Sequence, residues 1–238
     1  EFRVLGDLDG AFYLYQEAYK HGNSKNLRID AGLGMVNIHI AKGDLVAAEE
    51  KCAEFIHQAP NVLEYQIKSA QILFYQGEFD QTDSRLREII ENLPMDAVLV
   101  NDILDVMAVL IGFRHNQEEF PEFAEVQLNI QQNKRTEALE KLETLFDTNE
   151  IYIADMCRYQ HAWLTFLQGD TDSAKVYLNE IVNETIFMEL AHIFQAEILD
   201  FIDNDISNAI DSYLEFLELY PQSIYYDDVR LRLRELAS

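Results

Sequence analysis

The feature that most constrains the fold is a repeat of 34 residues. Gly43-Asp44-Leu45 and Gly77-Glu78-Phe79 each read as a turn of glycine, acid and apolar residue, and 77 − 43 = 34. Pro60 and Pro94 follow these turns at the same separation, since 94 − 60 = 34. A fixed period of this length predicts an array of small supersecondary units, each of which buries its apolar face against its neighbours.

The same frame extends along most of the chain. The turn positions are Gly6, Gly43, Gly77, Asn133, Gly169 and Asn204. A small residue stands five positions after each of them: Ala11, Ala48, Thr82, Ala138, Ala174 and Ala209. Four and then three positions further on come Tyr15, Cys52, Leu86, Leu142, Leu178 and Tyr213, followed by Ala18, Phe55, Ile89, Leu145, Ile181 and Phe216. Steps of four and three residues mark one face of an α-helix.

This pattern indicates pairs of antiparallel helices. Two helices cross closely where a small side chain lies at the contact, and Gly or Asn at the turn tolerates the positive φ that ends the first helix. The following acid, as in Asp44, Glu78, Asp170 and Asp205, lies at the positive end of the second helix. With only 9 Gly and 4 Pro, the 238 residues hold too few turn formers for a β-sandwich or barrel. We therefore expect an all-α chain.

The period and the turns resemble the tetratricopeptide repeat, a helix–turn–helix unit of about 34 residues. The resemblance covers nearly the whole chain and is closest over residues 29–62 and 63–96. It implies a right-handed α-solenoid superhelix with a C-terminal capping helix. Gly32 and Gln66 replace the aromatic residue usual early in the first helix, and Glu150 and Ile186 stand where a terminal proline is usual. These departures do not change the expected fold.

Three segments follow from the frame. We expect an N-terminal array at 1–94, an irregular connecting helix at 95–116 and a C-terminal array at 117–238. The connecting helix breaks the period, because 133 − 77 = 56, which is 34 + 22. A half-repeat at 7–20 predicts further repeats upstream. We expect helix pairs at about 26–59, 62–93, 117–148, 153–184 and 188–219, and a capping helix within 224–236.

Two motifs narrow the resemblance. Tyr220-Pro221-Gln222-Ser223 precedes a helix that carries Arg230, Arg232 and Arg234, and a long apolar helix at about 96–112 contains Asn101–Val106. Together they resemble the C-terminal repeat region of large, poorly characterised bacterial tetratricopeptide proteins, many of them from the cell envelope. The Tyr-Pro-x-Ser element is also similar to that of envelope-assembly lipoproteins. The resemblance favours the periplasm or cell envelope over the cytoplasm.

The charge of the chain limits its partners. Eighteen Lys and Arg against 43 Asp and Glu give a net charge of 18 − 43 = −25, which repels nucleic acid and anionic lipid. The apolar stretch Val106–Ile111 is far shorter than the roughly 20 residues of a membrane span. We expect a protein or peptide partner, with a larger envelope complex as its setting. Cys52 and Cys157 are predicted to be core residues rather than a disulfide.

Candidate catalytic motifs are weak. Glu54/His57 and Glu189/His192 have the spacing of di-iron helices, but about four repeats separate them in an array where each repeat contacts only its neighbours. Cys157 and His161 have helical spacing for a thiolate pair, but His161 is predicted to face the core. Gly32-Leu33-Gly34 is interpreted as a packing feature inside a helix, and no phosphate loop or zinc signature occurs. We predict no enzymatic activity, no metal and no cofactor.

The resemblance places the first helices of successive repeats on a concave face, where we predict a partner-binding groove. Amides there can bond a peptide backbone, and aromatic residues supply anchors. For Trp163, the only Trp in the chain, a core role and a binding role both stay open. One subclass of these repeats grips acidic chaperone tails with a ring of Lys, Arg and Asn. The matching positions here are Leu33, Asn37, Lys68 and Gln71, and their single cation is too few for such a ring, so we exclude this subclass. The candidate residues are Asn37, Lys68, Gln71, Tyr75, Gln127, Gln131, Tyr159, Gln160, Trp163, Phe194 and Gln195.

The function that the sequence favours is a non-enzymatic protein–protein interaction scaffold. Three alternatives stay open: a structural spacer or self-assembly element, a regulatory solenoid that senses a peptide, and an enzyme whose catalytic domain lies outside this sequence.

Overall fold

The computed structural model describes residues 6–93, 100–148 and 150–236. Within these ranges the chain is helical, with no strand, and helix accounts for 81% of it. Thirteen α-helices are described. They are α1 Leu8–His21, α2 Lys25–Lys42, α3 Leu45–Gln58, α4 Leu63–Tyr75, α5 Phe79–Glu91, α6 Val100–Gly112, α7 Phe120–Gln131, α8 Arg135–Thr144, α9 Ile151–Leu167, α10 Thr171–Asn179, α11 Ile186–Glu197, α12 Ile206–Leu219 and α13 Tyr226–Leu236.

The repeat frame is confirmed at its turns. Six described residues have positive φ, and they are the six predicted turn residues, Gly6, Gly43, Gly77, Asn133, Gly169 and Asn204. The small residue five positions after each turn is buried in every case, Ala11 at 6% exposure and the other five at 0%. Helices that are consecutive in sequence pack as pairs, as the pattern predicts. Pro94 lies outside the described residues.

Acidic residues begin the second helices, and their chemistry differs. The carboxylates of Asp44, Asp170 and Asp205 accept a hydrogen bond from the backbone N–H three residues on, at 3.0, 3.1 and 3.3 Å. Glu78 is also the residue before its helix, but its longer side chain accepts from Gln81 Nε2 and leaves the backbone uncapped. The three aspartates therefore stabilise their helix starts more directly than Glu78 does.

Positions on the predicted helix face are buried from α3 onward, and α1 differs. Tyr15 stays 36% exposed although its ring lies on α2, where a Cβ added to Gly34 would be 2.5 Å from a ring carbon. A Cβ on Gly32 would likewise meet the Tyr65 hydroxyl at 2.5 Å. The predicted packing role of these two glycines is confirmed.

The chain divides into two compact units, residues 1–141 and 142–238. In the first unit α2 packs on α1, α3 and α4, and α4 packs on α5. The next helix against α4 is α7, whereas α6 packs on α5. Helix α6 is thus an insertion, and α7 takes the place of the following first helix. The predicted division at 95–116 stays a prediction.

An aromatic cluster holds α7 on α4. Phe120, at 0% exposure, has its ring centroid 5.1 Å from that of Phe74 and 5.3 Å from that of Phe79. Phe113, also at 0% exposure, closes the cluster at 5.6 Å from Phe120. These contacts are edge-on, the arrangement that aromatic quadrupoles favour.

Alanine substitution at two turn glycines separates backbone strain from steric conflict. Gly77 and Gly169 both have positive φ, but a Cβ on Gly77 would lie 3.0 Å from Cα and Cβ of Pro121, whereas Gly169 has no atom within 4 Å. We expect Gly169→Ala to cost about 1 kcal/mol of unfolding free energy, from φ alone. Gly77→Ala is expected to cost about 2–3 kcal/mol, because α7 must also shift. Urea unfolding followed by circular dichroism measures both, and equal losses would contradict the contact between Gly77 and α7.

In the second unit α9 packs on α10 and α11, and α11 packs on α12. Helix α11 continues into a π-helical segment, Ile198–Ile202, in which the N–H of Asp203 donates to the carbonyl of Ile198. Helix α13 packs on α12 and buries Val229 to 3% exposure. Arg232 of α13 also bonds Asp200 of the π segment, so α13 is fastened to the last helix pair.

Both cysteines are buried in the helical core, Cys52 at 1% exposure and Cys157 at 0%, as predicted, and they form no disulfide. Burial raises the pKa of the Cys52 thiol to about 11, which favours the inert protonated form. None of the described helices combines the length and apolar character that crossing a bilayer requires.

Candidate functional site

The predicted groove residues all lie on first helices. In the first unit these are α2, α4 and α7, and in the second they are α9 and α11; we call their surface in each unit the first-helix face. Asn37, Gln71 and Gln127 each stand six residues before their turn residue, and Trp163 holds that place in α9. Because α4 packs against both α2 and α7, three amides occupy equivalent positions on adjacent helices of the first unit.

A hydrogen-bonded row runs along α4. Lys68 Nζ donates to Gln71 Oε1, and Gln71 Nε2 donates to the Tyr75 hydroxyl at 2.8 Å. All three side chains are half-buried. Burial raises the pKa of Tyr75, so its hydroxyl keeps its proton at neutral pH. The row is therefore preordered, and its cation is already engaged with an amide.

The amides on either side of α4 differ in how they are satisfied. Asn37 Oδ1 is buried with no hydrogen-bond partner among the described residues. Gln127 and Gln131 of α7 are half-buried. Gln132, which sequence reasoning passed over, donates from Nε2 to the carbonyl of Ile40 at 3.0 Å and ties α7 to α2. A buried acceptor without a partner is costly, and it gains most from an added donor.

Aromatic side chains dominate the first-helix face of the second unit. Trp163 is 45% exposed, so it is a surface residue rather than a core residue. Its ring lies 5.9 Å from Phe166 and 5.4 Å from Phe194, centroid to centroid. Tyr159 lies 6.2 Å from Phe194. Phe194 is only 5% exposed and forms the floor on which the other rings rest.

The two predicted amides of this unit lie beside the aromatic rings. Gln195 donates from Nε2 to Asn179 Oδ1 at 3.2 Å, which directs it toward α10. Gln160 is half-buried on α9. The second unit therefore presents rings where the first presents amides.

Glu197 is a member of this face that sequence reasoning missed. It stands three residues after Phe194 on α11, so it lies on the same side of the helix one turn further on. Burial raises the pKa of Tyr159, and Tyr225 and Glu197 add smaller electrostatic contributions in the same direction. Burial, with the charge of Asp200, raises the pKa of Glu197 itself. Its position three residues after a predicted groove aromatic was the signal available in the sequence.

The histidine at helical spacing from Cys157 is a core residue, as predicted. His161 is 3% exposed, with Nδ1 3.3 Å from Thr165 Oγ1 and Nε2 3.4 Å from Glu143 Oε1. Its ring centroid lies 3.9 Å from that of Tyr177. Burial lowers the pKa of His161 against the opposing pull of Glu143, so the neutral ring is favoured.

The Tyr-Pro-Gln-Ser element contacts one of the two Glu-x-x-His motifs. The Tyr220 hydroxyl lies 3.2 Å from His192 Nδ1, and Ser223 Oγ donates to Glu189 Oε1 at 2.5 Å. These contacts fix the loop between α12 and α13 onto α11. In the other motif, Glu54 pairs with Lys51 at 2.6 Å, and His57 is exposed.

Across the described ranges, no three His, Cys, Asp or Glu side chains lie close enough together to hold a metal ion. No protein-family model matches the chain, and no curated protein matches it.

Proposed function

We propose that the chain is a tetratricopeptide module that acts as a protein–protein interaction scaffold without catalysing a reaction. In this proposal each unit forms part of a right-handed superhelix, and the first-helix face is its concave, partner-binding surface. The partner is a protein or peptide, and the setting is the bacterial cell envelope. The repeat frame with its six turns supports the module, and the first-helix faces support the binding role.

Trp163 is the observation that carries the proposal. A single large aromatic ring, nearly half exposed, rests on Phe166 and Phe194 and so has few conformations to lose on binding. Interface energy concentrates in such residues, above all Trp and Tyr, because they desolvate a large area at small entropic cost.

The amide positions of the first unit supply the complementary chemistry. Amides on three adjacent helices can donate to and accept from the backbone of a bound segment, whatever its side chains. The α4 row from Lys68 to Tyr75 is already ordered, so little entropy is lost when it binds.

Affinity capture with Trp163→Ala tests the proposal. The whole chain is the bait in bacterial lysates. Val176→Ala is the matched control, because Val176 is 56% exposed on α10, a second helix. We expect partners held by the natural chain and by Val176→Ala to be depleted about tenfold or more by Trp163→Ala, the effect of losing one interface anchor. Partners retained equally by both variants would refute the role of the first-helix face.

A further inference from the structure

The aromatic rings of the second unit share the first-helix face of α9 and α11 with a carboxylate, Glu197. We name Tyr159, Trp163, Phe194 and Glu197 the Trp163–Glu197 patch. Tyr159 and Trp163 stand one turn apart on α9, and Phe194 and Glu197 stand one turn apart on α11, which packs beside α9. Trp163 and Tyr159 both contact Phe194, so the two pairs form one surface.

The carboxylate of this patch has no cation of its own. Among the described residues, no Lys, Arg or His lies within 4 Å of Glu197, and it takes part in no hydrogen bond. The nearest carboxylate along the helix, Asp200, is already paired with Arg232, with N–O distances of 2.7 and 2.9 Å. Glu197 is exposed to solvent, and desolvation followed by the charge of Asp200 raises its pKa, so an added positive charge would be favourable there.

We propose that the Trp163–Glu197 patch receives a lysine or arginine side chain of a partner polypeptide, an inference that rests on the proposed scaffold function. The cation lies over the exposed face of Trp163 or Tyr159 and donates to the Glu197 carboxylate. Ring and carboxylate then act on the same charge, the one through its quadrupole and the other through a charge-assisted hydrogen bond.

Two further observations favour a basic polypeptide segment as the occupant. The net charge of −25 attracts basic surfaces over long range and repels nucleic acid. Leu167 follows Trp163 by one helical turn and is 44% exposed, so an apolar surface continues beside the rings. The expected segment therefore carries a basic residue next to an apolar one.

Selection from a displayed library of random peptides tests this inference, with the whole chain immobilised. We expect peptides enriched on the natural chain to carry Lys or Arg beside an apolar residue. Their affinity should fall about tenfold in Glu197→Gln and more in Trp163→Ala. The affinity of these peptides for the natural chain should also fall several-fold between about 50 mM and about 500 mM salt. Glu218→Gln, an exposed acid of α12, is the matched control and should leave it unchanged.

The possible outcomes separate cation binding at the Trp163–Glu197 patch from the scaffold function on which it rests. Basic peptides that need both Trp163 and Glu197 support the inference. Peptides without a basic preference that still need Trp163 overturn the inference and leave the scaffold function standing. Peptides indifferent to Trp163→Ala, or no enrichment at all, overturn both. Circular dichroism of each variant checks that the exposed substitutions leave the fold intact.

Discussion

Arg232→Met is expected to lower the midpoint of thermal unfolding by about 10 °C at neutral pH. Asp200 is 2% exposed and accepts hydrogen bonds from Arg232 Nε at 2.7 Å, Arg232 Nη2 at 2.9 Å and the Tyr213 hydroxyl at 3.1 Å. Removing the guanidinium leaves a buried carboxylate with only a phenol as partner. Such a charge is costly because the protein cannot replace the water it lost.

The pH dependence of this loss gives an independent check. The hydrogen bond from Arg232 is the main cause that holds the pKa of Asp200 below its ordinary value, and Tyr213 adds to it. A depressed pKa in the folded state means stabilisation that is present above the unfolded pKa of about 4 and lost as the pH falls through the folded value. The natural chain and the variant should therefore approach each other in stability below about pH 4.

Arg234→Met is the matched control, because Arg234 lies on the same helix and is exposed. Its midpoint should change by about 2 °C or less. If Arg232→Met behaved like Arg234→Met at every pH, the bond between α13 and the π segment would not be a source of stability.

Phe120→Ala is expected to remove about 3–5 kcal/mol of unfolding free energy. Phe120 is fully buried, and it joins α7 to Phe74 of α4 and Phe79 of α5. Truncation leaves a cavity among rings that are already close-packed and cannot collapse to fill it. Urea unfolding measures the loss.

The control for this prediction is Ile111→Ala, since Ile111 is 56% exposed on α6. It should cost less than about 1 kcal/mol. A double-mutant cycle between Phe120 and Phe74 should yield a coupling of more than about 0.5 kcal/mol. Additive effects would contradict the packing of α7 on α4 across the inserted helix.

Much of the fold could be predicted because the repeat frame is local. A positive φ at Gly43 or Asn133 and a buried Ala five residues later are properties of one helix turn and its partner. A single sequence records such properties directly, and six copies of the pattern reinforce one another. The helix pairs therefore occur where the spacing places them.

The role of α6 could not be predicted in the same way. That α7 follows α4 in the array depends on contacts between Phe74 and Phe120, which stand 46 residues apart (120 − 74 = 46) with α6 between them. The bond of Tyr220 to His192 spans 28 residues, and that of Ser223 to Glu189 spans 34. Period and composition do not encode such pairings.

The candidate site was predicted unevenly for a physical reason. Helical position placed Trp163 and the amides on first helices, but it could not say which side chains would be covered. Phe194 became the floor and Trp163 the surface, because the rings of α9 close over Phe194. Glu197 was missed because its importance depends on its having no Lys, Arg or His partner among the described residues. Only the three-dimensional surroundings of its carboxylate show this.

Site-specific photo-crosslinking measures most directly whether the first-helix face binds a partner. A photoreactive phenylalanine analogue is placed at position 163 in one chain and at position 176 in another, and each is irradiated in lysate of envelope-bearing bacteria. We expect a discrete crosslinked polypeptide from position 163 and none from position 176, since only the first lies on a first-helix face. The same adduct from both positions, or one from position 176 alone, would contradict this expectation.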